Sequence, residues 1–236
     1  MPDITTAVAS SLQGRVAIVS GGARGIGLAI ALRAARDGAN IVVAAKTVEP
    51  HPRLPGTIHT VAAEIEELGA HALALQLDVR EESSVQTAVE LAVARFGGID
   101  ILVANAGGPP AGNFDTTEID AYMPALTLNL LSTVAMCKAV VPAMCERGWG
   151  RVVAITSVSV RQPIANLILS NTARAGITAA PRQHTGDSPS ASWRSWRKSL
   201  PGTEMSWRGK SITSRTSARL GSVTAKVVSR NSAPGC

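Results

Sequence analysis

The segment SGGARGIG, Ser20–Gly27, sets the fold of everything around it. It follows the short apolar run Val16 to Ser20 and opens a stretch of good helix formers, Ile26, Leu28, Ile30 and Leu32, that ends at Asp37-Gly38. The order is strand, glycine turn, helix. In that context Gly21 permits the tight turn, Gly25 lets the backbone approach a pyrophosphate, and Gly27 allows the helix to lie close on the sheet. The N–H groups at the helix start, around Ile26, then offer donors and a positive dipole end to phosphate oxygens. A glycine turn used only for packing is the alternative reading of the same residues.

Outward from this turn the chain alternates strand-like and helix-like segments. Ile41 to Ala45 is a second apolar run, and after a proline-containing loop Val61, Ile65 and Leu68 recur at helical spacing. Ala72 to Gln76 reads as a third strand. Val85, Ala88, Val89, Ala92 and Phe96 then form one apolar stripe on one helix. Ile101 to Ala104 is a fourth strand, and a long apolar helix over about Ala121 to Arg147 leads to a fifth at Arg151 to Ile155. Short, continuously apolar strands separated by helices indicate an α/β protein with a parallel sheet covered on both faces. Right-handed crossovers then leave a doubly wound, Rossmann-like fold, with ligands at the carboxyl ends of the strands.

Composition narrows the remaining options. With 236 residues and 45% apolar content the chain can bury a core. No run of about 18 apolar residues is expected to span a bilayer, and MPDITTAVASS carries no basic region followed by an apolar one; the expected compartment is the cytoplasm. Cys137, Cys145 and Cys236 are an odd set without metal-ligand spacing, which fits reduced thiols. His51, His59, His71 and His184 also lack metal spacing, and Glu64, Glu66 and Glu67 read as a solvated helix face.

The net charge of +6 hides two halves. Residues 1–180 hold 13 Lys/Arg against 15 Asp/Glu, and residues 181–236 hold 10 against 2. From Pro181 onward there are 12 serines and three of the four tryptophans, but only seven Val, Ile, Leu or Met residues in 56, so no convincing buried strand is expected there. Pro181 would interrupt a helix. The division is therefore a nucleotide-binding domain over 1–180 and a basic, degenerate or disordered tail over 181–236. Two origins of the tail stay open: translation out of frame, or a nucleic-acid-binding segment with cations on phosphate and indoles on bases.

The glycine spacing G-x-x-x-G-x-G, at Gly21, Gly25 and Gly27, resembles the short-chain dehydrogenase/reductase family. Asp78-Val79 after the third strand matches the family's adenine-contacting Asp-Val, and Asn105-Ala106-Gly107 after the fourth matches the motif that stabilises the sheet and lines the cofactor cleft. The resemblance covers about residues 12–180. The loop Ala44 to Thr60 is similar to hydroxysteroid dehydrogenase-like members, and residues about 105–180 are similar to 3-oxoacyl carrier-protein reductases.

This resemblance implies an oxidoreductase acting on a carbonyl or secondary alcohol of an acyl or lipid-like small molecule, with a homo-oligomer as the usual assembly. NAD-preferring members place an acidic residue at the end of strand two. Here Ala45 stands there, followed by Lys46, and Arg24 lies in the glycine turn, so NADP(H) is the expected cofactor. The family's asparagine and serine are matched by Asn129 and Ser157. Its tyrosine and lysine positions, however, are Ser170 and Arg174, and no Tyr-x-x-x-Lys occurs anywhere. Two readings follow: a variant site in which Ser157, Ser170 and water share the proton transfer, or a cofactor-binding domain with little chemistry.

Overall fold

The computed structural model describes residues 11–50 and 55–178, together with the backbone of a strand at 225–231. Val16–Ser20 (β1) leads through the glycine turn into Gly25–Arg36 (α1), followed by Asn40–Ala45 (β2), Ile58–Glu67 (α2), Ala72–Gln76 (β3), Glu82–Phe96 (α3) and Ile101–Ala104 (β4). A continuous helical stretch comes next. It begins as a 3₁₀ turn at Ile119–Ala121, becomes Tyr122–Leu126 (α4), widens into a π turn at Thr127–Leu131, and ends as Ser132–Glu146 (α5). Trp149–Ile155 (β5), a 3₁₀ turn at Val158–Val160, Ile168–Ile177 (α6) and Ala225–Asn231 (β6) complete the described elements.

The strand order is β3-β2-β1-β4-β5-β6. The first five strands run parallel, with Ile18 beside Val42 on one side and Leu102 on the other. Alternate side chains of each strand enter different layers, as a two-residue period requires. Ile18, Val42 and Leu102 join Val85, Ala88 and Ala92 of α3 and Met136, Val140 and Met144 of α5. Ala17, Val19, Val43 and Val103 join Ala31 and Ala35 of α1 and Val61 and Ile65 of α2. Both faces are covered, which is why these strands read as unbroken apolar runs. The order reverses between β1 and β4, so the crevice at their carboxyl ends is where this architecture places a ligand.

Several expectations are corrected. Leu68 does not continue the α2 stripe: the helix stops at Glu67, Gly69 turns the chain at φ +82°, and Leu68 is left exposed. β5 starts at Trp149 rather than Arg151. The tail does contribute a strand, since β6 pairs antiparallel with β5 from Trp149↔Asn231 to Ile155↔Ala225. A strand held by a backbone ladder on one neighbour needs no long apolar run, so composition signals it poorly. The stretch Ile119–Glu146 is, by length and composition, apolar enough to cross a bilayer. In the fold Met136, Val140 and Met144 of that stretch lie in the core. The expected helix break at Pro181, His51, His184, Cys236 and most of the basic tail lie outside the described residues.

Candidate functional site

The glycine turn is fitted against β4 at atomic contact. Gly21 adopts φ +61°, and a Cβ on it would lie 2.6 Å from the Asn105 carbonyl oxygen. A Cβ on Gly27 would fall on the Gly21 carbonyl and 2.9 Å from Asn105 Nδ2. Ser20, fully buried, completes the junction: its Oγ accepts from the Asn105 N–H at 2.8 Å and donates to the Val103 carbonyl at 3.3 Å. Sequence reading missed this role, although a serine closing a buried apolar strand was its signal. Gly25 differs from its neighbours, with φ +55° and no atom within 4 Å of a built Cβ. The start of α1 has neither a side-chain cap nor an acidic residue in its first turn. Ile26, its second residue, is half-buried. An uncapped helix start beside an open glycine is a cradle fitted to an anionic group.

The end of β2 carries cations. Arg24, directly before α1, donates from Nη2 to Thr47 Oγ1 at 2.7 Å and to the Gly56 carbonyl at 3.4 Å, which holds its guanidinium beside the loop after β2. Lys46 is exposed, and its charge reaches Asp78 at the end of β3. The Asp78 carboxylate is gripped by Arg80 Nε and Nη2 and accepts from the Arg80 N–H at 3.0 Å. The hydrogen bond from Arg80 is the main reason its pKa is held at about 2. Val79 packs its side chain against the core.

On the other side of the crevice, Asn129 sits in the π turn, fully buried. Its Nδ2 donates to the Ala125 carbonyl at 2.9 Å, and its own carbonyl accepts from Thr133 Oγ1 at 2.9 Å. Among the described residues its Oδ1 has no partner. Single π turns are common at functional sites. Ser157 follows β5 in extended conformation, and its Oγ accepts from the Ser159 N–H at 3.1 Å. Ser170 is buried in the first turn of α6, one helical turn before Arg174 on the same face. The half-buried Arg174 donates from Nη1 to the Ile155 carbonyl at 2.8 Å and from Nη2 to the Ala106 carbonyl at 3.3 Å. Burial lowers its pKa, but an arginine stays cationic in a protein.

The structure therefore draws Asn105, Ala106, Gly107, Asn129 and Arg174 together and sets Ser157 and Ser170 on the elements flanking Arg174. Asn171 was not foreseen. Its Nδ2 donates to the Ile164 carbonyl at 2.9 Å and its Oδ1 accepts from the Ile164 N–H at 3.4 Å, pinning the loop between β5 and α6. The Gly112 N–H donates to the Asn166 carbonyl at 2.8 Å, and the Ile168 N–H to the Gly112 carbonyl at 3.0 Å. These bonds fasten the segment after β4 to the start of α6.

Comparison with known proteins agrees with this fold. The model of the short chain dehydrogenase family matches residues 15–185. Hydroxysteroid dehydrogenase-like protein 2 of Danio rerio is 50% identical over 135 residues, covering 57% of this chain and 32% of that protein. The chain thus spans about a third of the length of the curated relatives it matches. Among solved structures, a 7α-hydroxysteroid dehydrogenase complexed with NADH and 7-oxo glycochenodeoxycholic acid is 30% identical, with a TM-score of 0.65 over 73% of this chain and 63% of that one. L-Sorbose reductase from Gluconobacter frateurii, complexed with NADPH and L-sorbose, is 28% identical, with a TM-score of 0.68 over 75% of this chain and 65% of that one. The strand order, the glycine turn and the family match over residues 15–185 lead to one conclusion: the chain belongs to the short-chain dehydrogenase family.

Proposed function

We propose that this domain binds NADP(H) and interconverts a carbonyl and a secondary alcohol in an acyl or lipid-like substrate. Solved relatives hold either NADH or NADPH, so the choice between them rests on charge at the end of β2. There Ala45 offers no carboxylate to a ribose diol, Lys46 follows it, and Arg24 is already oriented by Thr47. That cationic pair is the observation that carries the reading, because a 2′-phosphate calls for cations where a diol calls for an acid. A cytoplasmic setting accompanies it, resting on a cysteine content that suggests no disulfide framework.

Gly21, Gly25, Ile26 and Gly27 would hold the pyrophosphate, Asp78 and Val79 the adenine end, and Asn105, Ala106 and Gly107 the wall of the cleft. The nicotinamide, when bound, supplies or accepts the hydride. The chain's own residues must orient the substrate oxygen and deliver its proton. Ser157 Oγ accepts from the Ser159 N–H, which leaves its hydroxyl proton free for the substrate oxygen. Ser170 replaces a phenol by an aliphatic hydroxyl, a far weaker acid, and losing a positioned general acid costs about 10²- to 10⁴-fold in rate. Proximity still contributes roughly 7 to 11 kcal/mol. A slow enzyme is the consequence.

A second reading, nucleotide binding with negligible turnover, is favoured by the commitment of Arg174 to two backbone carbonyls. Fluorescence titration with NADPH and NADH, followed by single-turnover oxidation of bound NADPH with carbonyl substrates, separates the two. Tight NADPH binding with oxidation supports the enzyme, and binding without oxidation supports the second reading. Failure to bind either nicotinamide at millimolar concentration refutes both.

A further inference from the structure

We infer that Arg174 is a positioning residue that locks the wall of the cofactor cleft, and that Gly107 and Arg174 form a matched pair. The guanidinium spans the carbonyls of Ile155, at the end of β5, and Ala106, in the loop after β4. It therefore joins two adjacent parallel strands beyond the point where their own ladder stops at Val103↔Val153 and Ala104↔Ala154. Its Nη2 occupies the place a side chain at position 107 would take, and its Cζ is 3.0 Å from a Cβ built there. Only a residue without a side chain leaves room for the tie. Asn129 Oδ1 lies 3.0 Å from the same built point and has no partner among the described residues. A displaced guanidinium would thus be pushed within a space that already contains a buried polar group.

The consequence for function rests on the NADP(H) reading. Held this way, residue 174 fixes the backbone at Ala106 and Gly107 against which a nicotinamide nucleotide would lie, and it does so through a group that does not release its proton. A methyl group at 107 drives the guanidinium off the Ala106 carbonyl. Removing the guanidinium abolishes the same bond from the other side. The two changes share the Ala106 bond, although Arg174→Met also removes the bond to Ile155 and Gly107→Ala also strains a backbone at φ +153°, so the shared part of their effects is counted once and the combined effect falls short of additivity.

The test is a double-mutant cycle on the full chain with Gly107→Ala, Arg174→Met and the pair, and Arg174→Lys as the conservative variant. Urea midpoints and NADPH dissociation constants are both measured. Each single change is expected to weaken NADPH binding roughly tenfold, the scale of one charge-assisted hydrogen bond. The double variant should lose less than the sum of the two singles, by about the one tenfold step that the shared Ala106 bond represents. Arg174→Lys should recover part of the affinity, since an ammonium can still reach one carbonyl. Additive effects in both measurements, with wild type binding NADPH, overturn the pairing and leave the cofactor reading intact. Non-additive midpoints with unchanged affinity in every variant reduce Arg174 to a stability role and overturn its positioning of the cleft. Non-additive midpoints in a protein that binds no nicotinamide keep the pair but refute both the cofactor reading and the consequence drawn from it.

Discussion

Two glycines in one turn permit a test that separates packing from ligand approach. Gly27 is buried in the first turn of α1, and the methyl group of Gly27→Ala would meet backbone: it would fall on the Gly21 carbonyl oxygen, 2.7 Å from its carbon, and 2.9 Å from Asn105 Nδ2. Because Gly21 is itself held at φ +61° against Asn105, the turn cannot yield without disturbing β4. Overpacking of this kind costs about 1–3 kcal/mol, and the helix-forming advantage of alanine, up to about 1 kcal/mol, offsets part of it. A net loss of about 1–2 kcal/mol should lower the unfolding temperature by roughly 2–8 °C. Gly25→Ala meets nothing within 4 Å, so its cost is the left-handed backbone alone, φ +55° and about 1–2 kcal/mol.

The two variants therefore lose similar stability for different reasons. They should part in NADPH titration, because the methyl group of Gly25→Ala projects into the open space where a pyrophosphate would lie. At a temperature where both are folded, Gly25→Ala should bind NADPH at least about tenfold more weakly than wild type, the loss of one good phosphate hydrogen bond. Gly27→Ala should change affinity less than it changes stability. Wild-type affinity in Gly25→Ala would refute the idea that a ligand approaches this backbone, and the turn would then serve packing alone. An unchanged unfolding temperature in Gly27→Ala would refute the contact geometry itself.

Two further outcomes follow from charge. Arg24→Ala and Lys46→Ala should each weaken NADPH binding by about 1.5–3 kcal/mol, roughly 10- to 150-fold, with NADH affinity unchanged and the loss smaller at high salt; equal losses for both cofactors would mean that neither cation meets the 2′-phosphate. Arg80 holds the Asp78 carboxyl at about 2 against an ordinary 3.8, so the folded state binds this proton less readily than the unfolded chain. The resulting stabilisation is full above pH 3.8 and is lost as pH falls through about 2. Arg80→Ala should move the Asp78 carboxyl titration upward when followed by carbon NMR, and an unmoved titration would show that Arg80 is not the cause.

What was legible in the sequence is what neighbouring residues encode. Runs such as Ile41 to Ala45 and the stripe Val85, Ala88 and Ala92 declare strand and helix by period, and the glycine spacing declares the turn, because each depends on residues close along the chain. Leu68 misled because its position fits the helical period while the turn at Gly69 ends the helix one residue earlier. β6 was invisible because its partner, β5, lies about 75 residues away and its pairing is backbone to backbone. Ser20 and Asn171 were missed for a related reason: their partners, Asn105, Val103 and Ile164, are set by tertiary convergence or loop closure, which neighbouring residues do not name even where, as at Ser20, a polar residue closes an apolar strand.

Arg174 shows most clearly where local reading stops. The family resemblance gives it a lysine's place, but the fold brings the Ile155 and Ala106 carbonyls within its reach and assigns it two bonds no lysine could make in the same fork. A guanidinium carries five N–H donors, and these two bonds leave three. A contact to a ribose hydroxyl and the tie between β4 and β5 are therefore compatible, whereas a proton relay through residue 174 and that tie are not, because the group that makes the tie does not deprotonate. On the proposed oxidoreductase reading, the proton would have to come from Ser157, Ser170 or water, and the rate would be limited by how weak those acids are.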